Sequence, residues 1–359
     1  MKKRFIAIFM AALLVFALAA CAGGGDDSDD GHTLRVAVLD GGLGGFPVWV
    51  AEHKGWFEEA GITIDRIGFT NGPVQMEAID SWDIGLTGIG GILSGTVNFG
   101  APIIGMINTD DGTQYIFAQP DSPVALAGPG NSPLHPGIYG DAESWSQMTV
   151  NSTFGTVLHL LLLRTLESFG LGAEDIVQIN WMDMPTSNAA LLGGQGDASC
   201  VSGDMSFMED KENFVAVSNG NMTQLGLRSA IMANPDTIQN ESVREATLVF
   251  LRVFFDAIDW IHANQEEAAE YLISWGEFAG RIWDTRVANI YLEVDTYYTL
   301  ARNHSEMHTM APGGYPVMVE PIVNILRFFI DTEVWREGDD DIFLRPEHFD
   351  TSFIDALVG

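Results

Sequence analysis

The stretch AEHKGWFEEAGITI, residues 51–64, decides the fold. Its first ten residues lie in a predicted helix that begins at Pro47, where proline suits a first helical turn, and ends at Ala60. Gly61 follows at the position of a C-terminal cap, and the apolar residues 62–67 predict the next strand. A helix that leads through a glycine into a short strand is typical of an α/β fold.

The same alternation extends outward from this stretch. Short apolar runs predict strands or strand-like segments at residues 34–39, 62–67, 83–86, 102–107, 115–119, 147–150, 176–181, 198–201, 213–218 and 224–233. Helical periodicity dominates the remainder, over residues 244–264, 266–275, 285–298 and 320–330. Residues 120–146 are rich in Pro, Gly and Ser and are predicted to form a long loop.

Two segments of the chain echo each other. Residues 71–85 and residues 184–198 both read as a loop, a helix, a small turn, an aspartate and a strand. Two similar α/β lobes would produce this repeat. We expect the chain to cross between the lobes near residues 115–120 and 224–233.

The N-terminus has the pattern of an export signal. Basic residues 2–4 precede an unbroken apolar run, residues 5–20, which is too short to span a membrane comfortably. We therefore predict that residues 1–20 are a signal peptide and not part of the fold.

The end of the apolar run specifies a second feature. Leu-Ala-Ala-Cys, residues 18–21, resembles a bacterial lipobox, a signal in which the cysteine is lipidated and becomes the new N-terminus. An ordinary signal peptide with a nearby cysteine is the alternative. We predict lipidation at Cys21, followed by a flexible tether that ends at residue 32, since the segment is rich in Gly, Ser and Asp.

Charge restricts the partners. The chain has 17 basic and 49 acidic residues and a formal net charge of −32, and loss of the signal peptide would leave 14 basic residues. Such a field repels nucleic acid and anionic lipid surfaces. It favours cationic solutes slightly, although an acidic surface is also a common solubility or salt adaptation.

The sequence does not support catalysis. Cys200 lies in a strand-like run, where a cysteine is more often a small buried hydrophobe than a nucleophile, and the chain has no G-x-S-x-G motif. The glycines of residues 41–45 do not form a dinucleotide motif, because Pro47 stands where its third glycine should be. His304 and His308 have the i, i+4 spacing of two metal ligands, but we interpret them as a solvated helix end. We expect no enzyme activity, no cofactor and no metal.

Four stretches carry a resemblance to a known family. Residues 51–64 resemble the pattern A-x-x-K-G-[YWF]-F-x-x-x-G-[IL]-x-[VI] of ABC-transporter substrate-binding proteins of the nitrate, sulfonate, taurine and thiamine-precursor type. Residues 78–85 resemble that family's al-x-x-G-x-x-D-i-g, with Trp82 as a departure, and residues 189–198 resemble its counterpart in the second lobe. Residues 155–170 match the helix that opens the second lobe. The likeness weakens toward the C-terminus.

The resemblance implies a two-lobe α/β fold of the periplasmic-binding-protein type II, with a ligand cleft between the lobes. It assigns residues 33–115 and 228–359 to lobe 1 and residues 116–227 to lobe 2. It implies a monomeric solute-binding component of an ABC importer, outside the cytoplasm, with a membrane permease as partner. Capture would proceed by hinge closure around a small-molecule solute.

The resemblance also implies where the ligand binds. In open α/β sheets, ligands lie at the carboxyl ends of strands, beside helix N-termini. Contacts are therefore expected at Asp40, Gly44, Phe46, Asn71, Trp82, Thr87, Gly88, Asp110, Asp111, Ser152, Thr153, Phe154, Gly155, Thr156, Trp181, Asp183 and Asp204.

The same loops favour one class of solute. They contain aspartates and aromatic side chains but no Arg or Lys, and carboxylates oppose an oxyanion. We therefore favour a neutral or cationic, partly aromatic solute, such as a pyrimidine or thiamine precursor, over a sulfonate or nitrate. Two alternatives stay open. One is a ligand-sensing lipoprotein without transport, and the other is a pyrimidine-precursor enzyme on the same fold, against which the export signal argues.

Overall fold

The structure is a computed structural model and describes residues 33–294 and 296–359. The predicted signal peptide, the lipidation site Cys21 and the tether at residues 21–32 lie outside the described residues. Within the described ranges, none of the helices combines the length and the apolar character that a bilayer crossing needs.

The described residues form two separate β-sheets. The first sheet contains β1 (Thr33–Leu39), β2 (Thr63–Phe69), β3 (Ile84–Thr87), β4 (Ile103–Thr109), β10 (Arg228–Ala233) and β11 (Thr296–Tyr297). Its strand order is β11-β4-β10-β3-β1-β2. Strand β1 pairs in parallel with β2 and β3, whereas β10 runs antiparallel between β3 and β4.

The second sheet is built from the middle of the chain. It contains β5 (Gln114–Ala118), β6 (Thr149–Ser152), β7 (Gln178–Trp181), β8 (Ala198–Ser202) and β9 (Val215–Asn219). Its strand order is β7-β6-β8-β5-β9. Strand β6 pairs in parallel with β7 and β8, whereas β5 runs antiparallel between β8 and β9. We use lobe 1 and lobe 2 for the first and second sheets with the helices that pack on them.

The two sheets repeat one design, which accounts for the echo in the sequence. An aspartate immediately precedes the third parallel strand of each lobe and bonds to the first one. Asp83 accepts a hydrogen bond from the backbone N of Arg35 at 3.0 Å, and Asp197 accepts one from the backbone N of Thr149 at 2.7 Å. Both pairs are separated by 48 residues. The repeated aspartate is therefore a structural tie between strands in each lobe.

Helices connect and cover the strands. They are α1 (Phe46–Lys54), α2 (Trp56–Glu59), α3 (Gly72–Glu77), α4 (Ile89–Phe99), α5 (Pro123–Ala127), α6 (Ala142–Ser146), α7 (Val157–Glu167), α8 (Met184–Leu192), α9 (Gly220–Thr223), α10 (Glu241–Ala263), α11 (Gln265–Phe278), α12 (Thr285–Val294), α13 (Leu300–His308), α14 (Glu320–Asp331), α15 (Asp339–Phe343) and α16 (Ser352–Val358).

Helix α10 supplies the core against which the first βα unit packs. Its Phe250 and Phe254 are fully buried, and the Phe250 ring stacks on Phe57 of α2 with centroids 5.4 Å apart. Burying an aromatic side chain of this size is worth about 2–3 kcal/mol. Phe57, which lies in the stretch of residues 51–64, thus anchors α2 in the core of lobe 1.

Two local predictions need correction. The helix predicted over residues 47–60 is divided, because Gly55 adopts a left-handed φ of 76° and ends α1 before α2 begins. The predicted loop at residues 120–146 contains α5 and α6. Asp141 starts α6 by accepting a hydrogen bond from the backbone N of Ser144 at 2.8 Å, a local cap that composition alone does not reveal.

The crossovers between the lobes also differ from the prediction. Strand β5 pairs along its whole length within the second sheet, so the chain leaves lobe 1 at residues 110–113 and not at residues 115–120. It returns through residues 220–227, because residues 228–233 are already strand β10 of the first sheet. The predicted lobe boundary after Tyr115 therefore falls inside β5.

Asn303 of α13 offers a test of how the C-terminal helices hold lobe 1. It is fully buried, its Oδ1 accepts from the backbone N of Met106 at 2.7 Å, and its Nδ2 donates to the Met106 carbonyl at 3.0 Å. We expect Asn303→Leu to lower the free energy of unfolding by about 3 kcal/mol, because each orphaned backbone group costs about 1–3 kcal/mol. Urea denaturation measures this loss. Asn98→Leu, on an exposed helix position, should change it by less than about 0.5 kcal/mol, and equal losses in the two variants would contradict the role of Asn303.

Candidate ligand-binding cleft

The strands of both lobes end at a common gap. The carboxyl ends of β1, β3 and β4 and the amino end of β10 face the end of β8, the start of β5 and the start of α7. The gap encloses a cavity of about 240 Å³. It is lined by Leu39, Gly41, Gly42, Leu43, Gly44, Gly45, Leu86, Thr87, Gly88, Asn108, Asp110, Thr113, Gln114, Val157, Ser202, Gly203, Ser229 and Tyr291. Both lobes contribute to one cavity, as ligand capture by closure requires.

Asp110 is the ionisable carboxylate of this lining. The loss of water around it and, to a smaller extent, the neighbouring carboxylate of Asp111 raise the pKa of its carboxyl to about 6. Hydrogen bonds oppose this shift: the Thr113 hydroxyl donates to Oδ1 at 2.6 Å, and Nε2 of Gln114 donates to Oδ2 at 3.2 Å. A cationic or hydrogen-bond-donating group beside Asp110 would favour its charged form.

Unpaired oxygen atoms are part of the cavity lining. Oε1 of Gln114 and Oγ1 of Thr87 are buried and have no hydrogen-bond partner among the described residues. Buried polar atoms usually find a partner, so these two atoms suit a bound molecule or an ordered water. The lining residues include no Arg or Lys. The cavity thus offers a carboxylate and unpaired oxygens, a set that suits a donor.

One aromatic side chain lines the cavity. Tyr291 of α12 is 5% exposed, and its ring packs edge-on against Phe207 at 5.1 Å and tilted against Trp283 at 5.0 Å. These contacts fix the ring at the boundary between the lobes, since Phe207 follows β8 and Trp283 precedes α12. The cavity therefore presents one aromatic side chain, held in place by its neighbours, together with its polar wall.

Four of the predicted contact residues lie in this lining: Gly44, Thr87, Gly88 and Asp110. Gly88 is also the N-cap of α4, which has no side-chain cap, so the free N–H groups of that helix begin at the cavity wall. Asp111 follows Asp110 in the chain but does not line the cavity. It accepts from the backbone N of Gly226 at 3.0 Å and of Leu227 at 2.6 Å, and so ties the two crossovers together.

Trp82 and Phe46 are core residues, which corrects their prediction as ligand contacts. Both are fully buried outside the cavity lining, and the indole N–H of Trp82 donates to the carbonyl of Gln75 at 2.9 Å. Trp82 stands before β3, at the amino end of the strand, whereas the cavity lies at the carboxyl ends. An apolar ring next to a predicted loop cannot be assigned to core or cleft from its position in the sequence alone.

Three predicted contacts are helix caps in the structure. Asn71 accepts from the backbone N of Val74 at 3.0 Å, and Asp183 accepts from that of Thr186 at 2.9 Å. Thr156 caps α7, accepting from its second residue at 3.2 Å. Cap residues and ligand-binding residues share the same chemistry, which is why the sequence does not separate them. None of the three lines the cavity in this structure.

The remaining aromatic predictions form a cluster on lobe 2. Phe154 is 56% exposed and Trp181 is 42% exposed, with their ring centroids 5.3 Å apart. His159 of α7 packs between them and Phe328 of α14, at 4.7 Å from Trp181 and 5.7 Å from Phe328. The cluster lies outside the cavity lining. Gly155, in the same loop, adopts a left-handed φ of 70°.

Four further predictions lie beside the cavity without lining it. Ser152 ends β6 and Thr153 begins the loop before α7, and their hydroxyl oxygens are buried without partners among the described residues. Asp40 is exposed, and its backbone N donates to the Phe69 carbonyl at 2.9 Å. Asp204 follows Gly203 of the lining and is paired across the gap, as described below.

The sequence missed several lining residues. Gln114 and Ser229 begin strands, where nothing in the local pattern separates them from ordinary strand residues. Tyr291 comes from a helix far along the chain, and only the folded contact between α12 and the crossover places it here. Gln114 follows directly after the first crossover, so a correct prediction of where the chain leaves lobe 1 would have identified it as a candidate contact.

Comparisons with known proteins support this architecture. No family model matches the chain. A protein of Brachyspira hyodysenteriae, named "Putative ABC transporter periplasmic binding protein", is 25% identical over 264 residues, which cover 73% of this chain and 75% of that protein.

Solved structures match the chain in fold. The periplasmic aliphatic sulphonate binding protein SsuA from Escherichia coli matches with a TM-score of 0.64 at 17% identity, over 88% of this chain and 92% of that one. The desulfurization enzyme DSZB matches with a TM-score of 0.61 at 13% identity, over 91% and 98%. The comparisons confirm the two-lobe periplasmic-binding-protein fold and the resemblance to binding proteins of ABC transporters.

Asp110 should make the stability of the protein depend measurably on pH. Its pKa is raised from 3.8 to about 6 on folding, so the folded protein holds this proton more tightly than the unfolded chain. The stability that it contributes is complete below about pH 3.8 and is lost as the pH rises through about 6. The side chain of the Asp110→Asn variant cannot ionise, so the variant lacks this loss. The difference in free energy of unfolding, variant minus wild type, should therefore increase by up to about 3 kcal/mol between pH 4 and pH 7.

Denaturant titrations at several pH values measure this difference. Asp121→Asn, at an exposed position, is the matched control and should show no pH-dependent difference from the wild type. If the difference in free energy of unfolding between Asp110→Asn and the wild type were also independent of pH, a raised pKa at the cavity wall would be contradicted.

Proposed function

We propose that this chain is the extracytoplasmic solute-binding component of an ABC importer and delivers a small solute to a membrane permease. The observation that carries the proposal is the cavity between the strand ends of two lobes, lined by residues of both. The similarity to a named ABC transporter periplasmic binding protein supports it. The proposal includes export and a lipid anchor at Cys21, from the N-terminal pattern.

The solute is small and neutral or cationic. A cavity of about 240 Å³ holds the volume of roughly eight waters, which limits the solute to a compact molecule. The carboxylate of Asp110 and the unpaired amide oxygen of Gln114 accept hydrogen bonds, whereas the unpaired hydroxyl of Thr87 can accept or donate one, so the set favours a solute that donates hydrogen bonds. An amine, an amide or a ring nitrogen bearing hydrogen meets this requirement, as a pyrimidine or thiamine precursor would. Only the edge of Tyr291 remains for aromatic contact, because the predicted rings of Phe154 and Trp181 lie elsewhere.

A sulfonate is the second candidate solute. The uncapped N-terminus of α4 at Gly88 favours an anion, and the matching structures include a sulphonate binding protein. Two features oppose it in this chain. Asp110 would repel an anion, and no Arg or Lys lines the cavity to neutralise one.

Contacts across the gap support hinge closure. The guanidinium of Arg281, in the loop after α11 of lobe 1, lies 3.1 Å from the carboxylate of Asp204 in lobe 2. The indole of Trp283 donates to the same carboxylate at 3.3 Å, and Arg286 donates to the Phe207 carbonyl at 2.6 Å. These bonds join the lobes beside the cavity, so they form as the gap closes and break as it opens.

A binding role without catalysis accounts for the cavity. Its described lining residues include hydroxyls at Thr87, Ser202 and Ser229 but no His, Lys or Cys that could activate them as nucleophiles. The proposal therefore includes no enzyme activity, no cofactor and a monomer that acts with its permease. Signalling without transport would use the same binding step, and a neighbouring permease gene distinguishes transport from it.

The solute class can be tested by calorimetry. We expect one site for a compact amine or aminopyrimidine and no heat from ethanesulfonate or nitrate. Asp110→Asn should weaken binding of the cationic solute at least tenfold at pH 7.5, because loss of a charged hydrogen-bond partner costs about 1.5–3 kcal/mol. Asp121→Asn should bind like the wild type. Tight sulfonate binding with no response to amines would reverse the assignment of the solute but leave the binding role intact.

The contacts across the gap have a separate test. Arg281→Met removes the ion pair with Asp204, so we expect it to weaken binding of any true solute by about two- to fivefold, the value of a partly exposed ion pair. Small-angle scattering should show compaction on addition of solute, and less of it in Arg281→Met. Arg252→Met, on the exposed side of α10, should behave like the wild type. A saturating solute that produces no compaction in the wild type would argue against closure.

A further inference from the structure

A group of metal-ligating side chains lies outside the cavity lining. His304 and His308 are one helical turn apart on α13, and Asp355 belongs to the C-terminal helix α16. One nitrogen or oxygen atom from each of the three side chains lies within 4.8 Å of the others. It is the one group of at least three such side chains found among residues 33–294 and 296–359.

The three side chains converge on one point. Nε2 of His308 lies 2.6 Å from Oδ1 of Asp355, and Nε2 of His304 lies 3.8 Å from the same oxygen. Ligand atoms around a tetrahedral zinc ion, each about 2.0–2.1 Å from the metal, stand roughly 3.3 Å apart. The two observed distances fall on either side of that spacing, so small side-chain rotations would bring the atoms to it.

A hydrogen bond alone accounts for only part of this arrangement. It explains the contact between His308 and Asp355, but the second imidazole, at 3.8 Å, is too far to donate to that oxygen. The imidazole rings themselves lie 4.8 Å apart, tilted by 59°. Two imidazoles and a carboxylate directed at a common point form the donor set of a borderline-soft divalent ion.

The second oxygen of the carboxylate is held in place. The hydroxyl of Thr351 donates to Oδ2 of Asp355 at 3.0 Å, which leaves Oδ1 directed toward the histidines. Such an outer hydrogen bond orients a metal ligand and raises its affinity. The side chains of His304, His308 and Asp355 are 42%, 46% and 43% exposed, so an ion can reach them from solvent without opening the core.

We propose that His304, His308 and Asp355 bind a divalent transition-metal ion, of which zinc is the member best matched to the donor set, with water completing its coordination. The ion would link α13 to α16, the helix that packs on β4 and whose Ser352 accepts from Arg244 of α10 at 2.8 Å. The site is separate from the cavity between the lobes. Its presence or absence does not depend on the proposed solute.

The proposal is tested on the full chain without an added histidine tag, after removal of metal by a chelator. Zinc is then titrated in competition with a chromophoric chelator, and thermal unfolding is followed with and without zinc. We expect one bound ion per chain and a higher Tm in its presence. Thr351→Val should weaken zinc binding by about tenfold, and His304→Ala by more, because the first affects ligand orientation and the second removes a ligand.

Matched variants separate metal binding from folding. His262→Ala changes an exposed histidine on α10 and should keep full zinc affinity. His304→Ala is preferred to His308→Ala as the principal variant because it breaks no hydrogen bond to Asp355 within normal distance. Absence of zinc binding in the wild type, or equal binding by wild type and His304→Ala, would overturn the proposal. So would several weak ions bound equally by all variants.

Discussion

The carboxylate of Asp111 holds together the two segments on which the shape of the molecule depends. The chain passes from lobe 1 to lobe 2 at residues 110–113 and returns at residues 220–227, and Asp111 accepts hydrogen bonds from the backbone N–H groups of Gly226 and Leu227. Its own carbonyl lies so close to Gly220 that a Cβ there would approach it to 2.3 Å. The two crossovers are therefore held side by side.

This clamp lies next to the candidate cleft. Asp110 precedes the clamp by one residue and lines the cavity, and Gln114 follows it at the start of β5. In the proposed hinge closure, a charge or hydrogen bond gained at Asp110 would act on the crossover itself. The ion pair between Arg281 and Asp204 acts on the other side of the gap, where the loop after β8 meets the helices of lobe 1. Ligand contact and closure share a small set of neighbouring groups, which is the condition for a ligand to shift the population of closed molecules.

The sequence predicted what repeats and missed what depends on folding at long range. The echo between residues 71–85 and 184–198 predicted two lobes because the same ties recur, Asp83 to β1 and Asp197 to β6. The strand ends of an α/β sheet define its binding edge, and the predicted loops after β1, β3 and β4 contribute residues to the cavity lining. Tyr291 could not be found, because its approach to the crossover follows from packing of α12 and not from any local pattern.

The errors share one physical cause. Asn, Asp, Ser and Thr at the start of a helix can bind a ligand or cap the helix with the same atoms, and Asn71 and Asp183 cap at equivalent places in the two lobes. Of the aspartates predicted to meet solute, only Asp110 lies in the cavity wall, so the preference for a donor rests on one carboxylate with a raised pKa and not on a general acidic field. Salt screens a partly buried carboxylate only weakly, whereas it screens the surface charges of the chain strongly. The proposed preference for a donor should therefore persist at salt concentrations that suppress the effect of the surface charge. The proposed selectivity of this cleft therefore depends on the Asp110 carboxylate and on the two unpaired oxygens of the same lining.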